Sequence, residues 1–326
     1  MSDIIIGHNI LHQLGQTLRQ HGLRGRAFVF TDETVARRYG EAVLAGLRAG
    51  DVEAVLSVLP PGESTKSLEQ AFRAYDWLVD QRAERGDTIV AFGGGVIGDL
   101  AGFVAATYLR GLAFVQVPTT LLAQIDSAIG GKTGVNHPRG KNLVGAFHPA
   151  RVVFSDVALL RTLPRREIVA GWVEAIKAAL ILDADLLGFI ERNVEAMLAL
   201  DPEVTIQVIR RAAQHKVNVV TRDPHESGLR MILNYGHTIG HALEAATAYE
   251  AILHGEAVAI GMTGAAQIAA ALGILPPSVV ERQRLLLRRF GLPLQATDVL
   301  DQPPSLDAVL AAMRLDKKVR GAAIRW

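Results

Sequence analysis

Short apolar runs rich in β-branched residues alternate with amphipathic stretches through the first half of the chain. Residues 27–30, 55–59, 88–92, 113–117 and 152–154 have the continuous apolar character of strands buried on both faces. Between them, 35–49 and 67–84 carry apolar residues at helical spacing. Strand–helix alternation predicts a parallel sheet with helices on both faces, an α/β architecture. From about Leu163 the strand pattern stops, and Pro164 stands at the change. Residues 166–182, 185–198, 202–217, 237–248, 257–272 and 278–290 all read as helix. The expected organisation is an α/β domain over 1–163 and an all-α domain over 164–326, with no fixed-period repeat and no low-complexity tract.

Composition narrows the classes. The chain has 326 residues, enough for about two domains with real cores. Hydrophobic residues make up 49% and charged residues 21%, which argues against disorder. Lys+Arg is 34 and Asp+Glu is 33, a net charge of +1, so no global field attracts nucleic acid. Cysteine is absent, which excludes disulfides, thiolate nucleophiles and Cys-held metal, and fits a cytoplasmic location. Residues 1–22 lack a continuous apolar region, so no secretory signal is expected. Residues 257–275 carry no formal charge and are long enough to span a bilayer. They are mostly Ala and Gly and include Gln267, so a tightly packed buried helix is expected, not a membrane span.

A glycine loop is the first chemical signal. The apolar run 88–92 enters Gly93-Gly94-Gly95-Val96-Ile97-Gly98-Asp99, a formal G-x-G-x-x-G between strand and helix. Glycines there let main-chain N–H groups approach a pyrophosphate, and the helix dipole favours the anion. The common fingerprint also wants an acidic residue about 20 positions on, where this chain has Pro118-Thr119-Thr120. The expectation is a nucleotide-phosphate loop in a non-standard dinucleotide fold, against a plain tight turn. Gly130-Gly131-Lys132-Thr133-Gly134 is not a P-loop, since Asp126 stands where a Walker glycine belongs. With Arg139, Lys141 and Asn142 it forms either an anion-holding loop or an ordinary exposed polar loop.

Histidines are the second signal. His237 and His241 lie four apart, on one face of a helix, and His254-Gly255-Glu256 follows. Upstream, Glu174 and Lys177 are three apart on another helix. Two His and one carboxylate make an open zinc site, and three His within 18 residues favour metal without saying which two bind it. Lys216, Arg222, Arg230, Lys317 and Lys318 flank the region and suit an acidic ligand, although charges by default are solvated. Spacing and composition thus reach a nucleotide-using, metal-dependent enzyme acting on an anionic, hydroxylated small molecule.

The chain carries PGESTK at 61–66, GGGVIGDLAGF at 93–103, YLRG at 108–111, VPTTLLAQIDSAIGGKTGVN at 117–136 and GKNLVGAFHP at 140–149. EAIK at 174–177, GLRMILNYGHTIGHALE at 228–244, HGE at 254–256 and DKK at 316–318 follow. This joint pattern resembles the 3-dehydroquinate synthase family of sugar-phosphate cyclases. The resemblance implies an N-terminal NAD-binding domain and a C-terminal helical metal domain, with the active site in the cleft between them. It implies NAD contacts at Asp32, Glu63, Lys66, Gly94, Gly95, Asp99, Thr119, Thr120, Lys132, Lys141 and Thr162. It implies Zn²⁺, or Co²⁺, on Glu174, His237 and His254, and moves His241 from metal to substrate. A phosphate site falls on Lys132, Asn142, Asn234 and His241, with Arg110 reaching it from a second subunit of a homodimer. The substrate carboxylate falls to Lys216, Arg230 and Lys317 or Lys318, and substrate hydroxyls to Asp126 and Lys177. The implied reaction turns 3-deoxy-arabino-heptulosonate 7-phosphate into 3-dehydroquinate and phosphate. Its steps are transient oxidation by NAD, phosphate elimination, re-reduction, ring opening and aldol closure.

Compared with the family pattern, the leading hairpin is missing and the chain stops soon after 316–318. Asp223-Pro224-His225-Glu226 also departs from the usual acidic pair. Other readings are a cyclase making a valiolone- or inosose-type ring, a glycerol dehydrogenase-like metal enzyme, and a non-catalytic scaffold. Lys216 and Arg230 argue against the first, because those substrates lack a carboxylate, and the full set of candidate ligands argues against the last.

Overall fold

The computed structural model describes residues 2–315 except 225, 227 and 250. The chain divides into two compact units, residues 1–163 and 164–326.

The first unit is built on a six-stranded parallel sheet. Its strands are β1 (Asp3–Gly7), β2 (Ala27–Asp32), β3 (Ala54–Leu59), β4 (Thr88–Gly93), β5 (Ala113–Pro118) and β8 (Val152–Asp156). A separate antiparallel hairpin pairs β6 (Lys132–His137) with β7 (Gly140–Phe147). Helices α1 (Leu14–Gln20), α2 (Glu33–Arg48), α3 (Leu68–Asp80) and α4 (Gly95–Thr107) connect them. The sheet order is β1-β8-β5-β4-β2-β3. All five predicted strands and both predicted helices are present, with ends shifted by a few residues.

Period-two alternation sorts each strand's side chains onto two cores. Phe28, Phe30, Ile89, Ala91 and Phe114 pack with Ala71, Ala74 and Leu78 of α3 and Ile97, Leu100 and Val104 of α4. Val29, Val90, Phe92 and Val115 face the other way, onto Leu14 and Leu18 of α1 and Val43 and Leu47 of α2. The strands are buried on both faces, so their apolar runs are continuous. The strand order reverses between β2 and β4, a topological switch point whose carboxyl ends favour ligands.

Two elements differ from the sequence-based expectation. Ile4, Ile5 and Ile6 form an edge strand paired in parallel with Val153, Phe154 and Ser155. The 130–147 region, read as a loop, is the β6–β7 hairpin: Gly134 pairs with Gly145, and Thr133 Oγ1 donates to the carbonyl of Ala146 (3.0 Å).

The described part of the second unit contains helices and no strand. They are α5 (Arg165–Gly171), α6 (Val173–Leu182), α7 (Ala184–Arg192), α8 (Val194–Leu198) and α9 (Pro202–Arg222). Then follow α10 (His237–Ala246), α11 (His254–Ala271), α12 (Pro277–Phe290) and α13 (Leu306–Leu315). The predicted 166–182 and 185–198 helices are each broken once, at Trp172 and Asn193. Trp172 is fully buried, and its indole N–H donates to the Met197 carbonyl (3.2 Å).

Residues 257–271 of the uncharged stretch lie in α11, which is buried over 255–263 as expected, whereas 271–274 are exposed at its end. Its small residues let α10 lie against it: a Cβ on Gly261 would stand 1.9 Å from the Gly236 carbonyl oxygen. No helix among the described residues is long and apolar enough to cross a membrane.

Candidate active site

In the first unit the chemistry gathers at the carboxyl ends of β2, β4 and β5. Gly94 is the N-cap of α4 and provides no side-chain cap, so the first-turn N–H groups are not claimed by one. The loop is tight: a Cβ on Gly94 would lie 2.9 Å from Thr120 Cγ2, and one on Gly98 would lie 2.6 Å from Gln116 Oε1. The Thr119 N–H donates to the Gly93 carbonyl (3.0 Å), while its buried hydroxyl has no hydrogen-bond partner. Asp32 ends β2, and its Oδ1 accepts from the N–H groups of Thr34 (2.8 Å) and Val35 (3.0 Å). Asp32 thus caps α2 at the end of β2, the strand that neighbours β4.

A polar chain closes one side of this loop. Buried Lys66 donates to Asp99 Oδ2 (2.5 Å). Asn136 Nδ2 donates to Glu63 Oε1 (2.8 Å), and Lys141 Nζ stands 3.5 Å from the same oxygen. The Asn142 N–H donates to Asn136 Oδ1 (3.0 Å), and the Asn136 N–H to the Lys66 carbonyl (2.8 Å). Asn136 therefore joins Glu63, Lys66 and Asn142. Sequence reasoning quoted it inside a motif and gave it no role, and only its three contacts reveal one. Lys132 is exposed at the start of β6, and Asp126 is half-buried near the end of the short helical turn Ala123–Ser127, whose first three residues are buried. Thr120 caps that turn through the Ala123 N–H (3.3 Å), and Thr162 meets Tyr39 at 3.0 Å. Arg110 is exposed in a turn where Leu109 (φ 48°), Arg110 (φ 68°) and Gly111 (φ 123°) are successively left-handed. Two of these are not glycine, so the turn carries backbone strain.

In the second unit the candidate ligands converge on a carboxylate. Glu174 and Lys177 lie one turn apart on α6, both buried, and their side chains form an ion pair through Glu174 Oε2. Lys177 Nζ also donates to the Leu233 carbonyl (2.5 Å). Glu174 Oε1 is buried with no hydrogen-bond partner. It faces Nε2 of His237 at 3.7 Å and Nε2 of His254 at 3.9 Å. His237 opens α10 after the left-handed Gly236, and His254 opens α11. Two atoms bound tetrahedrally to one zinc stand about 3.4 Å apart. An orphaned carboxylate oxygen facing two imidazole nitrogens at near that spacing fits a divalent ion of the zinc or cobalt type.

Hydrogen bonds at the opposite ring nitrogens aim the ligands. His237 Nδ1–H donates to the Tyr235 carbonyl (3.2 Å), and His254 Nδ1–H to Glu244 Oε2 (3.3 Å). Burial opposes the charged form of His254. The Glu244 bond and the charges of Glu244 and Glu174 outweigh it and raise the imidazole above its ordinary range. The same carboxylates make the ring more basic toward a metal. His241 lies 5.2 Å from His237 and 6.0 Å from His254, ring centre to ring centre. Among the described residues two metal-capable groups occur: Glu174, His237 and His254, and the overlapping His241, Glu244 and His254.

The cationic residues are braced from below. Arg230 is buried; its N–H donates to Asp223 Oδ2 (3.0 Å) and its Nη1 to the Pro224 carbonyl (2.8 Å). Asn234 Nδ2 donates to Glu226 Oε1 (2.7 Å). The segment that departs from the family pattern thus supports Arg230 and Asn234. Lys216 is half-buried on α9. Lys317 and Lys318 lie outside the described residues.

Comparison with known proteins agrees along the whole chain. The 3-dehydroquinate synthase N-terminal family matches residues 56–170, and the 3-dehydroquinate synthase C-terminal family matches 171–319. A 3-dehydroquinate synthase of Symbiobacterium thermophilum is 48% identical over 325 residues, 99% of this chain and 89% of that protein. Another, of Nostoc punctiforme, is 46% identical over 326 residues, 99% of this chain and 89% of that protein. A solved 2-epi-5-epi-valiolone synthase of Streptomyces hygroscopicus subsp. jinggangensis, with NAD⁺ and Zn²⁺ bound, is 32% identical with a TM-score of 0.86. It covers 96% of this chain and 85% of that chain. A 2-deoxy-scyllo-inosose synthase complexed with carbaglucose-6-phosphate, NAD⁺ and Co²⁺ is 31% identical with a TM-score of 0.87, covering 98% and 84%. Glycerol dehydrogenase of Schizosaccharomyces pombe, 16% identical with a TM-score of 0.73 over 99% and 83%, shares the fold alone. Matched in both halves and alike to curated relatives over nearly its full length, the chain belongs to the 3-dehydroquinate synthase family.

Proposed function

We propose that this chain converts 3-deoxy-arabino-heptulosonate 7-phosphate into 3-dehydroquinate and inorganic phosphate, with NAD and a divalent ion, zinc or cobalt, as cofactors. The observation that carries this is the unpartnered Glu174 Oε1 facing two imidazole nitrogens, in a chain whose other unit presents a glycine loop at a switch point. When bound, NAD⁺ takes up a hydride and returns it, and the ion polarises substrate oxygens.

The chain's residues hold and orient. Gly94, Gly95 and the first turn of α4 receive the pyrophosphate; Asp32, Glu63, Lys66, Asp99, Thr119, Thr120, Lys132, Lys141 and Thr162 complete the NAD contacts. Glu174, His237 and His254 hold the ion. Lys216, Arg230 and Lys317 take the substrate carboxylate by charge-assisted hydrogen bonds. Lys132, Asn142, Asn234 and His241 take the phosphate, and Asp126 and Lys177 take hydroxyls. Fixed cations stabilise the charge of the departing phosphate without reorganising.

Two further points belong to this reading. The enzyme acts as a homodimer in the cytoplasm, with Arg110 serving its partner's phosphate site. Exposed Phe72 and Val79 on α3 and Val58 on the edge strand β3 support association of the first unit. The absence of cysteine supports the location.

The test incubates protein with the heptulosonate phosphate, catalytic NAD⁺ and Zn²⁺, following free phosphate and the product ring. Phosphate release without net NADH is expected; net NADH would indicate a dehydrogenase. The likeness to valiolone and inosose synthases makes one competing reading concrete: faster turnover of a sugar phosphate lacking the carboxylate would select it.

A further inference from the structure

Three oxygens or nitrogens that face an ion do not hold themselves in place. Each imidazole needs a partner at its second nitrogen, or its ring can rotate and its tautomer is unspecified. His237 has a carbonyl, that of Tyr235, in the residue pair just before its own helix. His254 is different. Like His237 it is the first residue of its helix, but its side chain is 27% exposed against 11%, and the preceding Leu253 has no side chain able to fix the ring. Its second nitrogen is met by Glu244, a buried carboxylate on another helix.

Glu244 occupies the third step of one face of α10: His237, His241 and Glu244 are four and then three residues apart. A single helical face thus carries an ion ligand, a second imidazole and the acid that reaches across to His254. Its ligand-capable oxygen lies within 4.8 Å of nitrogens of both His241 and His254. Burying a carboxylate is costly unless it is hydrogen-bonded to a partner that keeps its charge useful. The carbonyl at His237 is neutral, so the acid at His254 adds a charge that the other ligand lacks.

We infer that Glu244 is a positioning residue for the metal centre, holding His254 with Nδ1–H toward itself and Nε2 toward the ion, and strengthening that ligand. The inference rests on the proposed set Glu174, His237 and His254. Glu244 does not touch the ion in this role; it acts through His254. The neighbouring anchor of α11 is separate: Glu256 accepts from Arg166 Nε (2.6 Å) and Nη2 (2.7 Å) and from the Leu253 N–H (2.9 Å). That anchor fixes the start of the helix, whereas Glu244 fixes the ring.

The test measures Zn²⁺ affinity by competition with a chelator in the full-length protein, for Glu244→Ala, Glu244→Gln and His254→Ala. Loss of an outer-shell carboxylate weakens metal binding about 10- to 100-fold. Glu244→Ala is expected in that range, with Glu244→Gln between it and the parent, because an amide oxygen still accepts from Nδ1–H but carries no charge. In a His254→Ala background, Glu244→Ala is expected to add nothing. The metal-free protein is expected to stay folded, with a melting temperature only modestly lowered by loss of the Glu244–His254 hydrogen bond, and its NAD affinity to stay at the parental value; the visible spectrum of the Co²⁺-loaded Ala variant is expected to change. Parental Zn²⁺ affinity in either Glu244 variant, with His254→Ala defective, overturns the role of Glu244 alone. Parental affinity in His254→Ala overturns the ligand set beneath it. Unfolding of the metal-free variant, or a fall in NAD affinity that accompanies the metal defect, shows general damage and also overturns the positioning role.

Discussion

The 1–163 unit and the 164–326 unit carry their chemistry on different parts of the polypeptide. In the first, the candidate site centres on main chain: Gly94 and Gly95 leave the start of α4 uncapped by a side chain, and Thr119 bonds back to Gly93 through its N–H. In the second, side chains do it: a carboxylate on α6 meets imidazoles that begin α10 and α11. A backbone site is written in consecutive residues, so a local motif reveals it. A side-chain site is assembled from helices 63 and 80 positions away from Glu174 (237 − 174 and 254 − 174), so no local pattern contains it. The two designs are expected to fail differently: an added methyl group at Gly94 crowds the first, whereas the second fails when a side chain that would hold or brace the ion is removed.

His254→Ala is expected to have the largest effect. It removes one of three ligands, and turnover should fall by more than about 1,000-fold, since an ion supplies several kcal/mol of charge stabilisation. Metal analysis and steady-state rates check this; an active, metal-free variant breaks the picture of a side-chain site. Gly94→Ala comes next. The added Cβ would press on Thr120 Cγ2, and NAD affinity should drop roughly 10- to 100-fold, the loss of one or two anion-binding hydrogen bonds. Zn²⁺ affinity should hold, and a parallel loss of both would show that the units are not chemically separable.

Arg230→Ala should weaken the heptulosonate phosphate about 10-fold or more while changing NAD affinity less than about two-fold, consistent with loss of a charged hydrogen bond. Equal losses for both ligands would remove its carboxylate role. Size-exclusion chromatography with light scattering should show a dimer, and a fully active monomer would remove Arg110 from a partner's site.

A last effect is on stability and falls outside the chemistry. Asp183 caps α7 and accepts from the Leu186 N–H (2.9 Å), from Arg211 (2.7 Å) and from His215 (2.6 Å). Burial alone would raise its carboxyl, but these bonds hold it at about 2. A depressed carboxyl stabilises the fold above its unfolded value near 3.8, and this contribution is lost as pH falls toward about 2. Asp183→Asn should therefore cost roughly 2 kcal/mol at pH 7, by denaturant titration, and progressively less from pH 4 downward. A pH-independent cost would assign the effect to lost packing.

Reading the sequence succeeded where one element carries its own signal. The strands 88–92 and 113–117 are buried on both faces, so their apolar runs are unbroken, and every predicted helix exists. It failed where a neighbour supplies the reason. Ile4, Ile5 and Ile6 are a strand because β8, nearly 150 residues later, offers an edge. Lys132–His137 pairs with Gly140–Phe147, whose residues are all exposed or half-buried and carry no apolar period. That hairpin packs on α4, where a Cβ on Gly102 would meet Thr133 Cγ2 at 2.4 Å. In the site, the histidine spacing pointed to metal without naming the ligands. Glu244 and Asn136 matter through contacts with residues on other elements, so their spacing alone carried no role.

By itself, then, the order of residues determined which segments become strands and helices, and that the glycines from Gly93 to Gly98 stand where a strand passes into a helix. These follow from short-range rules: side-chain period, backbone freedom and the dipole of a helix end. Only the tertiary structure decided the strand order that brings Asp32 beside the glycine loop, and the helix packing that turns Glu174 Oε1 toward His237 and His254. Those depend on which apolar faces bury one another, a property of pairs of distant segments that neither segment contains.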